Sequence, residues 1–139
     1  MDITKINETL QQHHGLHKSI GMTLVSTPEA DTCMARMAVD ERTMQPFGYL
    51  SGGATLALAE TLAGAGSCSV CPNMACMGMN VQCNHVHAAA VGDTVTALAR
   101  LIHKGKTTHV WRIDVTNQAG MLISTVNVTN YIAPLPSCR

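Results

Sequence analysis

Charge is scarce in this sequence. Only 13% of its 139 residues are Asp, Glu, Lys or Arg, and the formal net charge is zero. Soluble domains ordinarily carry about 25% charged residues, so the shortage implies that further surface is buried between copies of the chain. Aromatic residues make up only 3%. No basic block and no aromatic-studded basic stripe occurs, which removes the usual footprint of a nucleic-acid-binding protein. No apolar run reaches the roughly 18 residues that a membrane-spanning helix needs. The opening residues, Met1-Asp2-Ile3-Thr4-Lys5-Ile6-Asn7-Glu8, are polar and mixed in charge, without the apolar centre of an export signal. A cytoplasmic location is the expectation, with neither membrane nor nucleic acid as a partner.

What the chain has in unusual supply is cysteine, with six. Without an export signal a disulfide framework is not expected. Cys68-Ser69-Val70-Cys71-Pro72 is followed by Cys76 and Cys83. That spacing is not that of a paired zinc knuckle, and the segment runs on into a strand, so these residues read as buried free thiols and no metal is expected. Apolar residues are plentiful at 46%. No linker, repeat or low-complexity stretch divides the chain, and residues 1–139 read as one domain with its own core.

The periodicities give an element order. Residues 2–11 read as a helix capped by Asp2, with Ile3, Ile6 and Leu10 on one face. Residues 16–21 read as a further helical turn. Residues 22–27 and 32–39 read as two strands, and 40–51 as a loop. A helix spans 52 to about 66. Four strands follow, at 75–87, 93–103, 107–117 and 121–132. In the clearest, His109, Trp111, Ile113 and Val115 alternate with Val110, Arg112, Asp114 and Thr116. The connectors are short, so the expectation is a four-strand meander of antiparallel neighbours. The class is α+β, with one helix packed on a curved antiparallel sheet.

The central helix, from Gly52-Gly53-Ala54-Thr55 to Gly64-Ala65-Gly66, is apolar or small nearly all round, which predicts burial on every side. Glu60 is the one ionisable group within it. A carboxylate in dry surroundings is costly to keep charged, and its pKa rises unless a partner is supplied. Two readings of Glu60 stay open: a structural group, on a solvent-facing sliver of the helix or paired with a donor such as Arg100 or Arg112, or a base or nucleophile lining a cleft. At the helix start, Gly52-Gly53 offers backbone N–H groups at the positive end of the dipole, suited to a developing oxyanion; a lone Gly-Gly equally serves a tight loop-to-helix turn and no more. Gly52 and Glu60 are eight positions apart, about 12 Å along a helix. One carbonyl cannot easily reach both. If both act on it, they come from different chains of a two-fold dimer.

Taken together, Arg42-Thr43-Met44-Gln45-Pro46-Phe47-Gly48-Tyr49-Leu50-Ser51-Gly52-Gly53-Ala54 and Leu58-Ala59-Glu60-Thr61 resemble the active-site segment of the PaaI-type hotdog thioesterases. The likeness is nearest to the branch that includes 1,4-dihydroxy-2-naphthoyl-CoA thioesterase, of menaquinone biosynthesis, and the enterobactin proofreading thioesterase. It implies a hotdog fold, a homodimer doubled to a homotetramer, and an acyl-CoA substrate hydrolysed without a cofactor. It implies that Glu60 is the catalytic carboxylate, that Gly52 N–H polarises the thioester carbonyl, and that Gln45 helps position the acyl group. Gly53 and Gly64 fall in the substrate channel by the same likeness. His85 and His87, with the turn His103-Lys104-Gly105-Lys106, would lie near the CoA nucleotide.

Three positions depart from the family pattern. Ser51 stands where relatives carry His; it can hydrogen-bond within the catalytic set but cannot titrate near neutral pH. Gly64 replaces a Ser or Thr that orients water. His87 replaces an Arg, which weakens the grip on a phosphate. Two other activities are weighed on the same residues. An acyl-thioester hydratase or dehydratase would pair a His with the carboxylate, and a non-catalytic CoA-binding module would release no thiol.

Overall fold

The alternation at 108–116 builds the middle of the sheet. In the computed structural model, which describes residues 1–136, the strand β5 (Thr108–Asn117) buries His109, Trp111, Ile113 and Val115 completely. Before it in the chain come helix α1 (Thr4–Gln12), helix α2 (Leu16–Ser19), strands β1 (Thr23–Val25) and β2 (Thr32–Ala38), helix α3 (Gly52–Val70), and strands β3 (Met74–His85) and β4 (Thr94–Lys104). Strand β6 (Leu122–Pro134) follows. The N-cap position is Ile3 and not the expected Asp2, whose Oδ1 accepts the Thr4 N–H at 3.0 Å from one residue earlier, and Ile3, Ile6 and Leu10 face the core.

One antiparallel sheet holds all six strands in the order β1-β2-β4-β5-β6-β3. That corrects the expected meander at one joint: β3 does not pair with β4 but lies at the far edge, against β6. The connector 86–93 looked like a hairpin because it ends in Val91-Gly92-Asp93, with Gly92 at φ +100°. It is a crossover instead. Val86 and His87 donate to the carbonyl of Ile123, and the Leu50 N–H donates to Ala89 O at 2.8 Å. Its eight residues, extended, reach about 26 Å, whereas three strand spacings need about 14 Å.

Helix α3 packs on the concave face through Ala54, Leu58, Ala59, Leu62, Ala63 and Ala65. A Cβ at Gly66 would stand 2.5 Å from the Trp111 ring, so only glycine lets the helix pass the indole this closely. Beside it Ser67 anchors a buried polar knot. Its Oγ lies 2.9 Å from Trp111 Nε1, 2.9 Å from Asn130 Nδ2 and 3.0 Å from His109 Nδ1. The indole and amide nitrogens can only donate, and together they fill both lone pairs of the hydroxyl. Its single proton goes to His109 Nδ1. The imidazole is therefore neutral and protonated at Nε2, which faces Cys71 Sγ at 3.6 Å.

Burial, and after it the charges of Lys104 and His103, hold the His109 pKa below its ordinary 6.5. The unfolded chain then takes up a proton that the folded chain refuses, so this contribution to stability is full above pH 6.5 and is lost as pH falls toward the depressed folded value. Denaturant midpoints measured from pH 7.5 down to about 5 should fall across that window. A flat profile would contradict the neutral imidazole.

Burial of α3 on every side is not what the fold provides. One sheet covers one side, and the residues Gly53, Ala57, Glu60, Thr61, Gly64 and Cys68 form a stripe that is exposed or half-buried. Small apolar residues look alike whether the chain covers them itself or leaves them open. Among the described residues no helix is long and apolar enough to cross a membrane.

Candidate active site

The start of α3 opens on a cavity of about 430 Å³. One wall is the loop before the helix, with Gln45, Tyr49 and Leu50. The other is the crossover, with His85, Val86, His87, Ala88 and Ala89; Gly52 and Thr55 form the floor. The walls are fastened to each other by the Tyr49–Ala90 bridge. Gln45 is held in its loop, its side-chain oxygen accepting the Phe47 N–H. His85 is fixed from behind, with Nδ1 2.9 Å from Ser124 Oγ. Its ring tip lies against the helix start: a Cβ at Gly52 would come 2.7 Å from His85 Nε2. Glycine at 52 therefore leaves room for an imidazole beside the first N–H groups of the helix, where the dipole favours negative charge.

Glu60 is elsewhere. Two helical turns further on, it lies on the open stripe of α3, exposed in the single chain rather than in the dry seat its neighbours implied. Among the described residues it forms no ion pair, since Arg100 pairs with Asp31 and Arg112 with Asp114. Its carboxylate instead rests on β3 at Gly78, where any Cβ would overlap Oε1. Met79, the next residue, is a bulge: Gly78 pairs with Asn130 and Asn80 with Thr129. A glycine inside a strand signals a bulge or a close approach, so the close contact at Gly78 was legible and was missed. Gly78→Ala is expected to push the carboxylate aside by about 1 Å or more and cut kcat about 100-fold with the fold intact. Wild-type kcat in that variant would show that the contact does not position Glu60.

The structure thus gathers Gln45, Gly52, His85 and His87 around one cavity and leaves Glu60 outside it. Ser51 caps the helix by position, with no side-chain hydrogen bond to it, and neither Ser51 nor Gly53 lines the cavity. Gly64 sits one turn after Glu60 with open space around it. His103 and Lys104 end β4, and Gly105 and Lys106 follow in the β4–β5 turn, near the opposite end of α3, where His109 meets Cys71. A single chain does not bring that turn to the cavity.

A curved antiparallel sheet around one long helix, with a largely apolar cavity at the helix start, defines a hotdog protein of the thioesterase type. The chain belongs to the thioesterase superfamily, whose sequence pattern matches residues 47–124. It is similar to the 1,4-dihydroxy-2-naphthoyl-CoA hydrolase of Listeria monocytogenes, 38% identical over 78% of this chain and 88% of that one. A crystal structure of thioesterase PA1618 from Pseudomonas aeruginosa, with a glutamine changed to alanine, superposes with a TM-score of 0.88 at 33% identity, covering 97% of this chain and 96% of that one. Protein SAV0944 of Staphylococcus aureus, solved with a glutamate changed to alanine, gives 0.82 at 37% identity over 87% of this chain and 100% of that one. The same protein, called a thioesterase, was also solved with alanine for a glutamine fifteen positions before that glutamate.

The resemblance read in the sequence therefore holds for family and fold, and the chain is a thioester hydrolase.

Proposed function

We propose that the chain hydrolyses acyl-CoA thioesters with an aromatic acyl group, 1,4-dihydroxy-2-naphthoyl-CoA being the lead candidate, at a site shared between two copies. One observation carries the reading: the helix start and the carboxylate are both open, on one helix, two turns apart. Gly52 N–H of one chain polarises the carbonyl, Gln45 orients the acyl group, and Glu60 of the other activates water or attacks the carbon. Glu60 follows Gln45 by fifteen positions, the separation of the two replaced residues in the Staphylococcus protein, which supports treating them as a working pair.

The second copy also supplies what a single chain lacks. Among the described residues strand β3 pairs only with β6, so its other edge has free N–H and carbonyl groups, and Met77 and Met79 are exposed along the strand. Such an edge invites another strand. Two β3 edges joined antiparallel lay two α3 helices side by side and cover both Glu60 residues. The cavity beside His85 and His87 then takes the acyl or nucleotide end of the substrate.

The test is thiol release across a panel of acyl-CoAs. Aromatic thioesters are expected to exceed short aliphatic ones in kcat/KM by about tenfold or more, the size of effect a shaped apolar pocket gives. A 3-hydroxyacyl-CoA in the same panel checks for dehydration, because His85 gives the cavity an imidazole. Absence of thiol release with every substrate would end the proposal.

A further inference from the structure

A threonine within a helix ordinarily returns its hydroxyl to the carbonyl four residues back. Thr9 does so in α1, donating to Lys5 O at 2.9 Å. Thr55, one turn into α3, does not. Its backbone N–H donates to Ser51 O at 3.2 Å, but among the described residues its hydroxyl has no hydrogen-bond partner. The residue is only 1% exposed, and it forms the cavity floor with Gly52. Among the described residues the one sealed side-chain polar atom without a partner is Asn130 Oδ1. The Thr55 hydroxyl is therefore not sealed, and it opens on the cavity. The other polar side chains of the lining, Gln45, Tyr49, His85 and His87, are half-buried or exposed and meet solvent at the rim. Thr55 meets only what the cavity holds.

We propose that Thr55 is a specificity residue, which reads a hydroxyl group on the aromatic ring of the acyl group, at the position next to the thioester carbonyl. The inference rests on the reading above, in which Gly52 N–H takes that carbonyl. Residues three apart are neighbours on one helix face, about 5–6 Å from each other. A carbonyl held at Gly52 therefore leaves the adjacent ring position within reach of Thr55, while the CoA nucleotide lies at the far end of the pantetheine arm. A 2-hydroxyaryl thioester keeps its phenol proton on its own carbonyl oxygen, and the Thr55 hydroxyl donates to the phenol oxygen. An unsubstituted ring displaces water from Thr55 and supplies no partner in its place. A site built around a buried polar group rejects the analogue that leaves that group unpaired. Valine has nearly the same shape without the hydroxyl, so exchanging the two separates recognition from packing.

The experiment measures kcat/KM by thiol release for 2-hydroxybenzoyl-CoA, 4-hydroxybenzoyl-CoA and benzoyl-CoA, using the full chain. The 2-hydroxy thioester is expected to lead both others by about tenfold. Thr55→Val should bring the three to within about twofold of each other. Thr55→Ser, which keeps the hydroxyl, should retain the preference. The wild-type comparison stands by itself if Thr55→Val folds poorly. Equal kcat/KM for the three thioesters, a lead for the 4-hydroxyl, or a preference that survives in Thr55→Val would overturn the role of Thr55 and leave the hydrolase reading intact. No thiol release from any acyl-CoA ends that reading, and the role of Thr55 with it.

Discussion

Glu60→Gln should lower kcat about 1000-fold, within the range that removing a positioned general base or nucleophile produces. The amide has the same shape and Glu60 is exposed in the single chain, so folding and association should be unchanged. Circular dichroism and sedimentation check that point, and thiol release gives the rate. A shared site adds a sharper test. Gly52→Val would drive a side chain into the place held by the His85 ring, and it should be inactive alone. Mixed after unfolding, the two inactive variants form mixed dimers with one intact site in two. With random pairing, about a quarter of wild-type activity should return. No recovery would put the helix start and the carboxylate to work within one chain, or exclude one of them.

The second large effect concerns stability. Ser67→Ala keeps the volume but strips the partner from Trp111 Nε1, Asn130 Nδ2 and His109 Nδ1, all within the core. An unpaired buried polar group costs about 1–3 kcal/mol, and allowing for relaxation the loss should be about 3–5 kcal/mol. Trp111 is the only tryptophan, so its fluorescence reports urea unfolding at the knot itself. A loss below about 1 kcal/mol would mean that the three groups find other partners.

Much of this architecture could be read from residue order. The alternation around Trp111 set the face of β5, and a lone carboxylate in an apolar helix after Gly-Gly marked Glu60 and Gly52. The placement of β3 could not be read that way. A turn ending in Val91-Gly92-Asp93 serves a hairpin and a crossover equally, and the choice depends on tertiary contacts with Leu50 and Ile123. The open stripe of α3 was hidden for a related reason: Ala57 and Gly64 suit a surface covered by the sheet and one left for another molecule. The resemblance puts His85 near the nucleotide; what residue order does not reveal is that Ser124 holds its ring beside Gly52. Gly78 needed only closer attention to a glycine inside a strand.

Most of the cavity wall, 45–50 and the crossover, lies outside the six main strands, apart from His85 at the end of β3 and Ile123 on β6. Val86, His87 and Ala88 are exposed there and can change size without disturbing the Trp111 core. Acyl preference can therefore be altered at these positions while the scaffold stays put. Exchanging the strap after His85 between homologues would be the economical route to retuning what the enzyme accepts.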